Sequence, residues 1–282
     1  MSSSLEIVTR VPCASLRPFV MEYVYRKVAI PAGALLEKAM PLWCQSTIDF
    51  YLDGQIQSVD FSSGREIPFS PCIIRGIRTR KKSFIRVAGN FTAFILRLTP
   101  AGLYGLLGIP AIEFKDQLID CTLIRASLFA EITERLMGCN DIDSCVAVVE
   151  PYLMKMAGTT LISAPVDHMA MLISANRIPP AITGLQEKVC LSHRQLERNF
   201  TKEVGITPKY YSRMIRFTNM LYYKMQYPAI KWPAVSYEFN YTDQTHLIRD
   251  FQHFLGITPN EFASDNFACL EHLPPSLKWQ SY

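Results

Sequence analysis

The stretch that decides the fold occurs twice in the second half of the chain, as Leu196-x-Arg198-x-Phe200-x4-Gly205-Ile206-Thr207-Pro208 and as Leu247-x-Arg249-x-Phe251-x4-Gly256-Ile257-Thr258-Pro259. Seven positions match at one constant offset of 51 residues, which indicates a duplicated supersecondary unit. Each copy reads as a short helix, a tight turn, a second helix and a stop. This order is typical of a helix-turn-helix, so the sequence predicts two such units.

The second helix of each unit is predicted to bury one face. Ser192 and Asp243 are good N-caps for these helices. Apolar residues spaced four apart form the predicted inward faces, namely Leu196, Phe200, Leu247 and Phe251. Gly205 and Gly256 are predicted to stop the two helices, and Thr207 and Thr258 are predicted to cap the next helical segment in each copy.

The outward positions of the second helices carry arginine, glutamine and threonine, side chains that hydrogen-bond base edges in the major groove of DNA. A plain solvated face would favour glutamate and lysine. The predicted DNA-contacting residues are Ser192, His193, Arg194, Glu197 and Arg198 in the first unit and Gln244, Thr245, Ile248 and Arg249 in the second. Arg198 and Arg249 have an alternative interpretation as ion-pair partners within the domain. A plain bundle, or a solenoid of helix pairs, is the alternative for the units as a whole, although a solenoid would continue beyond two copies.

One long helix is predicted between the units, over residues 207–225. At 1.5 Å rise per residue it would measure roughly 28 Å. This length is close to the roughly 34 Å that separates successive major-groove openings on one face of B-DNA. A rigid spacer of this length would let both second helices enter adjacent grooves.

Residues from about 165 to 264 resemble the C-terminal domain of the AraC/XylS family of bacterial transcription regulators. The second copy carries the stronger signature, which runs from Asn240 to Phe262. The resemblance implies seven helices, two of which read DNA, and a binding site of about two helical turns. Carried over by position, it implies DNA contacts from Arg194, Glu197, Arg198, Gln244, Thr245 and Arg249.

The chain departs from the family pattern at the two turns, where family members usually have glycine. Cys190 and Asn240 stand there, and Gln186 replaces a usual small residue on the first short helix. Asparagine tolerates a positive φ angle, so the second turn should be little affected. The first unit is therefore expected to be strained or to bind DNA less tightly.

The first hundred residues favour short strands. Segments rich in β-branched and aromatic residues are 47–53, 72–74, 83–88 and 91–98, and Gly89-Asn90 fits a hairpin turn between the last two. Such a set predicts a β-sandwich or barrel. The family resemblance implies a cupin-like barrel that senses a small molecule or a partner, which is an analogy of fold alone.

Helical periodicity begins after the strands. Pro100 is predicted as a first helical residue, Asp120 or Thr122 as the cap of a second helix, and Asp141 as the start of a third. The predicted fold class is therefore α+β: a β-barrel or sandwich, which the family resemblance implies to be cupin-like, with following helices, then an all-α domain. We predict a sensing or dimerisation domain at residues 1–160, a DNA-binding domain at 165–264 and a tail at 265–282.

Composition sets broad limits. The chain has 282 residues, 49% of them apolar, and a formal charge of only +4, which alone would not indicate nucleic acid. Its eight cysteines form no C-x-x-C pair, which favours reduced thiols. The sequence has no secretory signal and no apolar run of about 20 residues, so we expect a cytoplasmic protein without membrane contact.

No catalytic constellation is recognised in residues 1–164. The first histidine is His168, which argues against a histidine-ligated metal in the barrel, and no metal or cofactor is expected. The basic run from Arg75 to Arg86 is interpreted as a solvated hairpin tip, with an anionic effector or an auxiliary DNA contact as alternatives. Core packing is favoured over an apolar pocket for four aromatic residues: Trp43, Phe50, Tyr51 and Phe69.

These observations predict a sequence-specific DNA-binding transcription regulator of the AraC type. Its expected partners are double-stranded DNA, a small-molecule effector, RNA polymerase if it is an activator, and a second copy in a homodimer. One alternative is an enzyme, such as a DNA-repair protein, with a nucleic-acid-binding appendage. Another is a regulator that acts only through protein contacts. The effector, the operator and the sign of regulation are left open.

Overall fold

The computed structural model describes residues 4–30, 35–39, 44–54, 56–60, 66–79, 83–158, 162–186 and 191–262. Antiparallel strands occupy most of the first hundred residues, and helices dominate from residue 102 onward. The α+β class and the order of its two parts are therefore as the sequence predicts.

The strands form two antiparallel sheets. Their bounds are β1 Ser4–Arg10, β2 Val20–Ala29, β3 Leu35–Ala39, β4 Thr47–Asp53, β5 Ile56–Asp60, β6 Glu66–Ile67, β7 Cys72–Arg75, β8 Ser83–Ala88, β9 Phe91–Leu98 and β10 Leu118–Asp120. A six-stranded sheet has the order β1-β2-β9-β4-β7-β10, and a four-stranded sheet has the order β3-β8-β5-β6. All the predicted strand segments are confirmed.

The predicted hairpin at Gly89-Asn90 is wrong, because β8 and β9 belong to different sheets. β8 pairs with β3 and β5, whereas β9 lies between β2 and β4. Phe94 of β9 is buried on one face of its sheet and Ala93 on the other. A strand buried on both faces takes a central place with a partner on each side, so no edge remains for β8. Gly89, with φ +73°, is the turn where the chain changes sheets.

One face of the six-stranded sheet carries charge as well as apolar groups. Arg97 Nη1 donates to Glu22 Oε1 at 2.5 Å, and both side chains are buried. Arg75 donates to Asp49 and to the Tyr51 hydroxyl. The interpretation of the basic run as a solvated tip is therefore wrong at its beginning, because both Arg75 and Arg78 are buried. Residues 80–82, at the centre of the run, lie outside the described residues.

The four aromatic residues that were considered as the lining of an apolar pocket do not share one environment. Phe50 and Tyr51 are buried on opposite faces of β4, which confirms core packing for both. Phe69 is 39% exposed, and its ring centroid lies 5.8 Å from that of Tyr51. Trp43 lies outside the described residues.

Three helices follow the strands and cover the other face of the six-stranded sheet. They are α1 Gly102–Leu107, α2 Thr122–Leu136 and α3 Ile142–Met156. Asp141 caps α3 by accepting the backbone N–H of Ser144 at 2.8 Å, as predicted. Pro100 precedes α1 instead of starting it, because Thr99 is held by hydrogen bonds to the carbonyl of Pro18 and that of Phe19.

The remaining helices form the second half of the chain. They are α4 Ala164–Ser174, α5 Ile182–Gln186, α6 His193–Val204, α7 Pro208–Gln226, α8 Trp232–Glu238 and α9 Gln244–Leu255, followed by a 3-10 helix, Pro259–Glu261. The long helix α7 matches its predicted bounds to within one residue. Over the part of the chain that the structure describes, no helix is both long and apolar enough to cross a membrane.

The strand-rich half, which comprises the described residues up to 158 and includes α1 to α3, shares buried contacts with the helical half, which comprises those from 162 onward. Cys44 and Ile77, from the strand-rich half, belong to the same apolar core as α4, α6, α7 and α9. The Cys44 thiol lies 3.4 Å from the Thr218 hydroxyl on α7. The strand-rich half therefore packs directly on the long helix. The domain boundaries at residues 160 and 165 stay a prediction.

Candidate nucleic-acid interface

The two second helices, α6 and α9, are called the reading helices from here on, and each is started by its predicted cap. Ser192 forms a capping box in which its hydroxyl accepts the Gln195 N–H at 3.3 Å while the Gln195 side chain accepts the Ser192 N–H at 3.2 Å. Asp243 accepts the N–H of His246 at 2.7 Å. Both side chains satisfy backbone donors that a helix start leaves open.

The ends of the reading helices are also as predicted. Gly205 and Gly256 adopt φ +92° and +70°, a left-handed conformation that glycine takes without strain. Thr207 then accepts the Tyr210 N–H at 3.3 Å and so caps α7. The two copies thus stop in the same way, which explains why Gly-Ile-Thr-Pro recurs.

The second turn tolerates its departure from glycine. Asn240 has φ +52°, and the following N–H of Tyr241 donates to the carbonyl of Ser236 at 3.0 Å. The prediction that asparagine would accept a positive φ is confirmed. Val189 and Cys190, in and beside the first turn, lie outside the described residues, as does the side chain of Gln186, so the expected strain there stays a prediction.

The inward faces of the reading helices form the centre of the helical core. The four predicted residues, Leu196, Phe200, Leu247 and Phe251, are all buried. Phe251 meets the rings of Phe217 and Trp232 edge-on, at centroid distances of 5.2 and 4.9 Å. Burial of these faces fixes which side of each reading helix faces outward.

The predicted DNA-contacting residues lie on the opposite sides. All are exposed except Glu197, which is half-buried: Ser192, His193, Arg194, Arg198, Gln244, Thr245, Ile248 and Arg249. His193 Nδ1 lies 3.8 Å from Glu197 Oε2, and the Ser192 hydroxyl is already engaged in its cap. Arg198 and Arg249 form no ion pair with any described residue, so their alternative interpretation as intradomain partners has no support in this part of the chain.

A buried ionic cluster behind α9 was missed by the sequence reasoning. Asp250 is fully buried and contacts Arg213, Arg216 and Tyr241. Burial and the nearby Asp250 carboxylate raise the pKa of Tyr241, so its hydroxyl keeps its proton and acts as a donor. A signal was available in the sequence, because Asp250 stands on the inward face beside Phe251, where a charge needs partners.

The strand-rich half contacts the C-terminal end of α6 directly, and that of α9 through Tyr210 of α7. The ammonium of Lys202 lies 5.1 Å from the centre of the Tyr104 ring, and Gly205 lies close against the backbone of Ala111. Tyr210 donates to the carbonyl of Thr79 at 3.2 Å, and its hydroxyl lies 2.7 Å from His253 Nε2. These contacts leave the N-terminal halves of both reading helices exposed.

Comparison with known proteins agrees with this geometry. Residues 185–265 match a family model described as a helix-turn-helix domain, which is of the AraC type. The matched range contains both reading helices and the long helix between them. The chain is therefore a DNA-binding transcription regulator, and residues 185–265 are its AraC-type helix-turn-helix domain.

Several solved structures are similar at low identity. ToxT from Vibrio cholerae has 8% identity over 93% of this chain and 97% of its own, with a TM-score of 0.43. ToxT from strain O395 bound to (E)-4-(8-methylnaphthalen-1-yl)but-3-enoic acid has 11% identity over 93% and 98%, with a TM-score of 0.42. An RmlC-like cupin protein from Desulfovibrio desulfuricans has 12% identity over 34% and 81%, with a TM-score of 0.23.

Among curated proteins, none matches the sequence significantly. The class of the protein therefore rests on its duplicated units and on the helix-turn-helix domain match.

Proposed function

We propose that the chain recognises an operator by inserting α6 and α9 into successive major grooves of one DNA duplex. The observation that carries the proposal is the pair of exposed polar faces, one on each reading helix, at the two ends of α7. At 1.5 Å per residue, α7 supplies a spacer of roughly the distance between groove openings. The arginines on these faces have no ion-pair partner among the described residues, so they are available to DNA.

The predicted residues would divide into base and backbone contacts. Arg198 and Arg249 suit bidentate hydrogen bonds to guanine, and Gln244 suits adenine. Ile248 would contact a thymine methyl group. His193 and Arg194 lie in the first turn of α6, where a helix start attracts phosphate. The proposal therefore gives α6 and α9 separate sets of bases to read.

The strand-rich half is proposed to sense a small molecule or to supply a dimer contact, and the protein to act in the cytoplasm without enzymatic activity. An activator of this kind would also touch RNA polymerase. The contacts of Tyr104 and Ala111 with the end of α6 support communication between the halves, because any movement of the strand-rich half would reach a reading helix directly.

Selection of bound sequences from a random DNA pool tests the proposal. We expect an enriched site with two conserved parts, centred about one helical turn apart, and a clear fall in affinity as salt rises. Repeating the selection with cell extract tests whether an effector changes the affinity. A pool in which no sequence is enriched, or only one part is conserved, would contradict the proposed mode of binding.

A further inference from the structure

A fully buried carboxylate joins the second reading helix to the long helix. Asp250 Oδ1 accepts Arg213 Nε at 2.8 Å and lies 2.7 Å from Arg213 Nη2. Its other oxygen, Oδ2, accepts the Tyr241 hydroxyl at 3.1 Å and lies 3.7 Å from Arg216 Nη2. A buried carboxylate is costly unless charge and hydrogen bonds compensate it, so α9 is held where all these partners reach.

The three partners come from two other elements, and this fixes the rotation of α9. Arg213 and Arg216 lie on α7, and Tyr241 lies in the turn before α9. Both nitrogens of the Arg213 fork approach one carboxylate oxygen, and a fork of this kind is directional. A turn of α9 by one residue, about 100°, would carry Asp250 away from the fork.

The arginines are themselves held by aromatic rings. The Arg213 guanidinium lies 5.1 Å from the centre of the Phe254 ring, and that of Arg216 lies 4.4 Å from the Tyr241 ring. Stacking on a ring restricts an arginine that would otherwise move freely. Asp250, Arg213, Arg216 and Tyr241 therefore form a cluster in which each arginine is held both by the carboxylate and by an aromatic ring. We call this cluster the ionic joint.

The first unit lacks this joint. Asn199 stands at the position equivalent to Asp250, is only half-buried, and makes no side-chain hydrogen bond with a described residue. The first reading helix is held near its C-terminal end instead, where Glu203 accepts the Ser163 N–H at 2.9 Å. The ionic joint thus belongs to the second unit and is not a general requirement of the repeat.

We infer that Asp250 is a positioning residue for DNA reading, which sets the direction in which Gln244, Thr245, Ile248 and Arg249 face the bases. The inference rests on the proposed function, since it assumes that α9 reads one part of the operator. Asp250 itself faces away from the DNA and acts through the orientation of its helix.

The test measures base preference separately in the two parts of the selected site. Asp250→Asn keeps the shape of the side chain but removes its charge, and we expect discrimination against wrong bases to fall about tenfold in the part read by α9. The part read by α6 should keep its preference. Tyr241→Phe removes one hydroxyl from the same joint and should cause a smaller loss, about threefold, in the same part.

Two controls separate positioning from stability. Met169→Ala removes a fully buried side chain on α4, far in sequence from the joint, and should lower the melting temperature without changing either base preference. Asn199→Ala should leave both preferences unchanged. Binding is measured below the lowest melting temperature of the set, with circular dichroism to report the folded fraction.

The outcomes are distinct. If Asp250→Asn weakens binding to every sequence by one factor, as Met169→Ala should, its role is structural and the inference is overturned. If Asp250→Asn does not fold, Tyr241→Phe decides, and unchanged preferences in that variant overturn the inference. If the unmodified protein enriches no two-part site, the proposed function fails first, and the inference fails with it.

Discussion

The two helix-turn-helix units share their caps, their inward residues and their stops, yet they are attached to the rest of the molecule differently. The first reading helix contacts the strand-rich half and the start of α4, through Lys202, Glu203 and Gly205. The second is joined to α7 through Asp250. The two units thus share the geometry of their reading helices, whereas they differ at single positions, such as Asn199 in the first and Asp250 in the second, and in their attachments. The first unit is therefore the one more exposed to influence from the strand-rich half.

The largest expected effect tests whether the units are equivalent as structures. Phe200→Ala and Phe251→Ala should each lower the free energy of unfolding by about 3–5 kcal/mol, because each removes a fully buried aromatic ring from the helical core. Urea unfolding measures both values. Ile248→Ala, on the exposed face of α9, is the control and should change stability little. Either phenylalanine variant proving as stable as the parent would break the equivalence.

The next effect tests the different attachments directly. Gly256→Ala should cost about 1–2 kcal/mol of stability, since alanine is strained in the left-handed conformation and nothing else lies near the new methyl group. Gly205→Ala should cost more, because its Cβ would also lie 2.9 Å from the Ala111 carbonyl oxygen. Equal losses in thermal melts of the two variants would show that the contact with the strand-rich half contributes nothing.

A third pair tests whether the exposed faces read different bases. Arg198→Ala and Arg249→Ala should each reduce specific binding by about 1–3 kcal/mol and relax preference at one or two positions, in opposite parts of the site. Both residues are exposed, so the melting temperature should stay unchanged. Equal loss of affinity on all sequences would instead assign the residue to phosphate contact.

The smallest effect concerns Glu203, whose equivalent in the second unit is Phe254. Burial raises the pKa of Glu203 above its ordinary value, so the folded state binds its proton more tightly than the unfolded state does. The contribution of Glu203 to stability should therefore fall as pH rises from about 4.3 through the raised pKa. Glu203→Gln keeps an acceptor for the Ser163 N–H but has no carboxylate to ionise, so the variant should not show this decline. Its free energy of unfolding should therefore exceed that of the parent most at neutral pH and above.

Unfolding curves of the parent and of Glu203→Gln across that pH range measure the difference. Asp167 remains in both proteins; its own pKa is raised by burial, and its carboxylate also contributes to the raised pKa of Glu203. A constant difference between parent and variant at every pH would contradict the assignment to Glu203.

The parts predicted well from sequence are those set by local rules. Caps such as Ser192 and Asp243, the stops at Gly205 and Gly256, and the faces of α6 and α9 depend on residues within a few positions of one another. Repetition strengthened each of these predictions, because the same signal appeared twice.

The parts that failed depend on residues distant in sequence. Gly89-Asn90 suits a hairpin locally, but the pairing of β9 with β2 and β4 decides otherwise. Arg75 looked solvated within its basic run, yet Asp49 and Tyr51, on a neighbouring strand, hold it in the interior. The two arginine partners of Asp250 lie on α7, so their identity could not be obtained from the periodicity of α9 alone.

The insertion of Cys44 and Ile77 into the helical core has a thermodynamic consequence. Because residues of the strand-rich half complete the core around α7, the two halves should melt together in one transition. A small molecule that binds only the folded strand-rich half would then raise the melting temperature of the reading helices as well, by mass action and without touching them. The melting temperature of the DNA-binding half would then report indirectly whether a small molecule is bound to the strand-rich half.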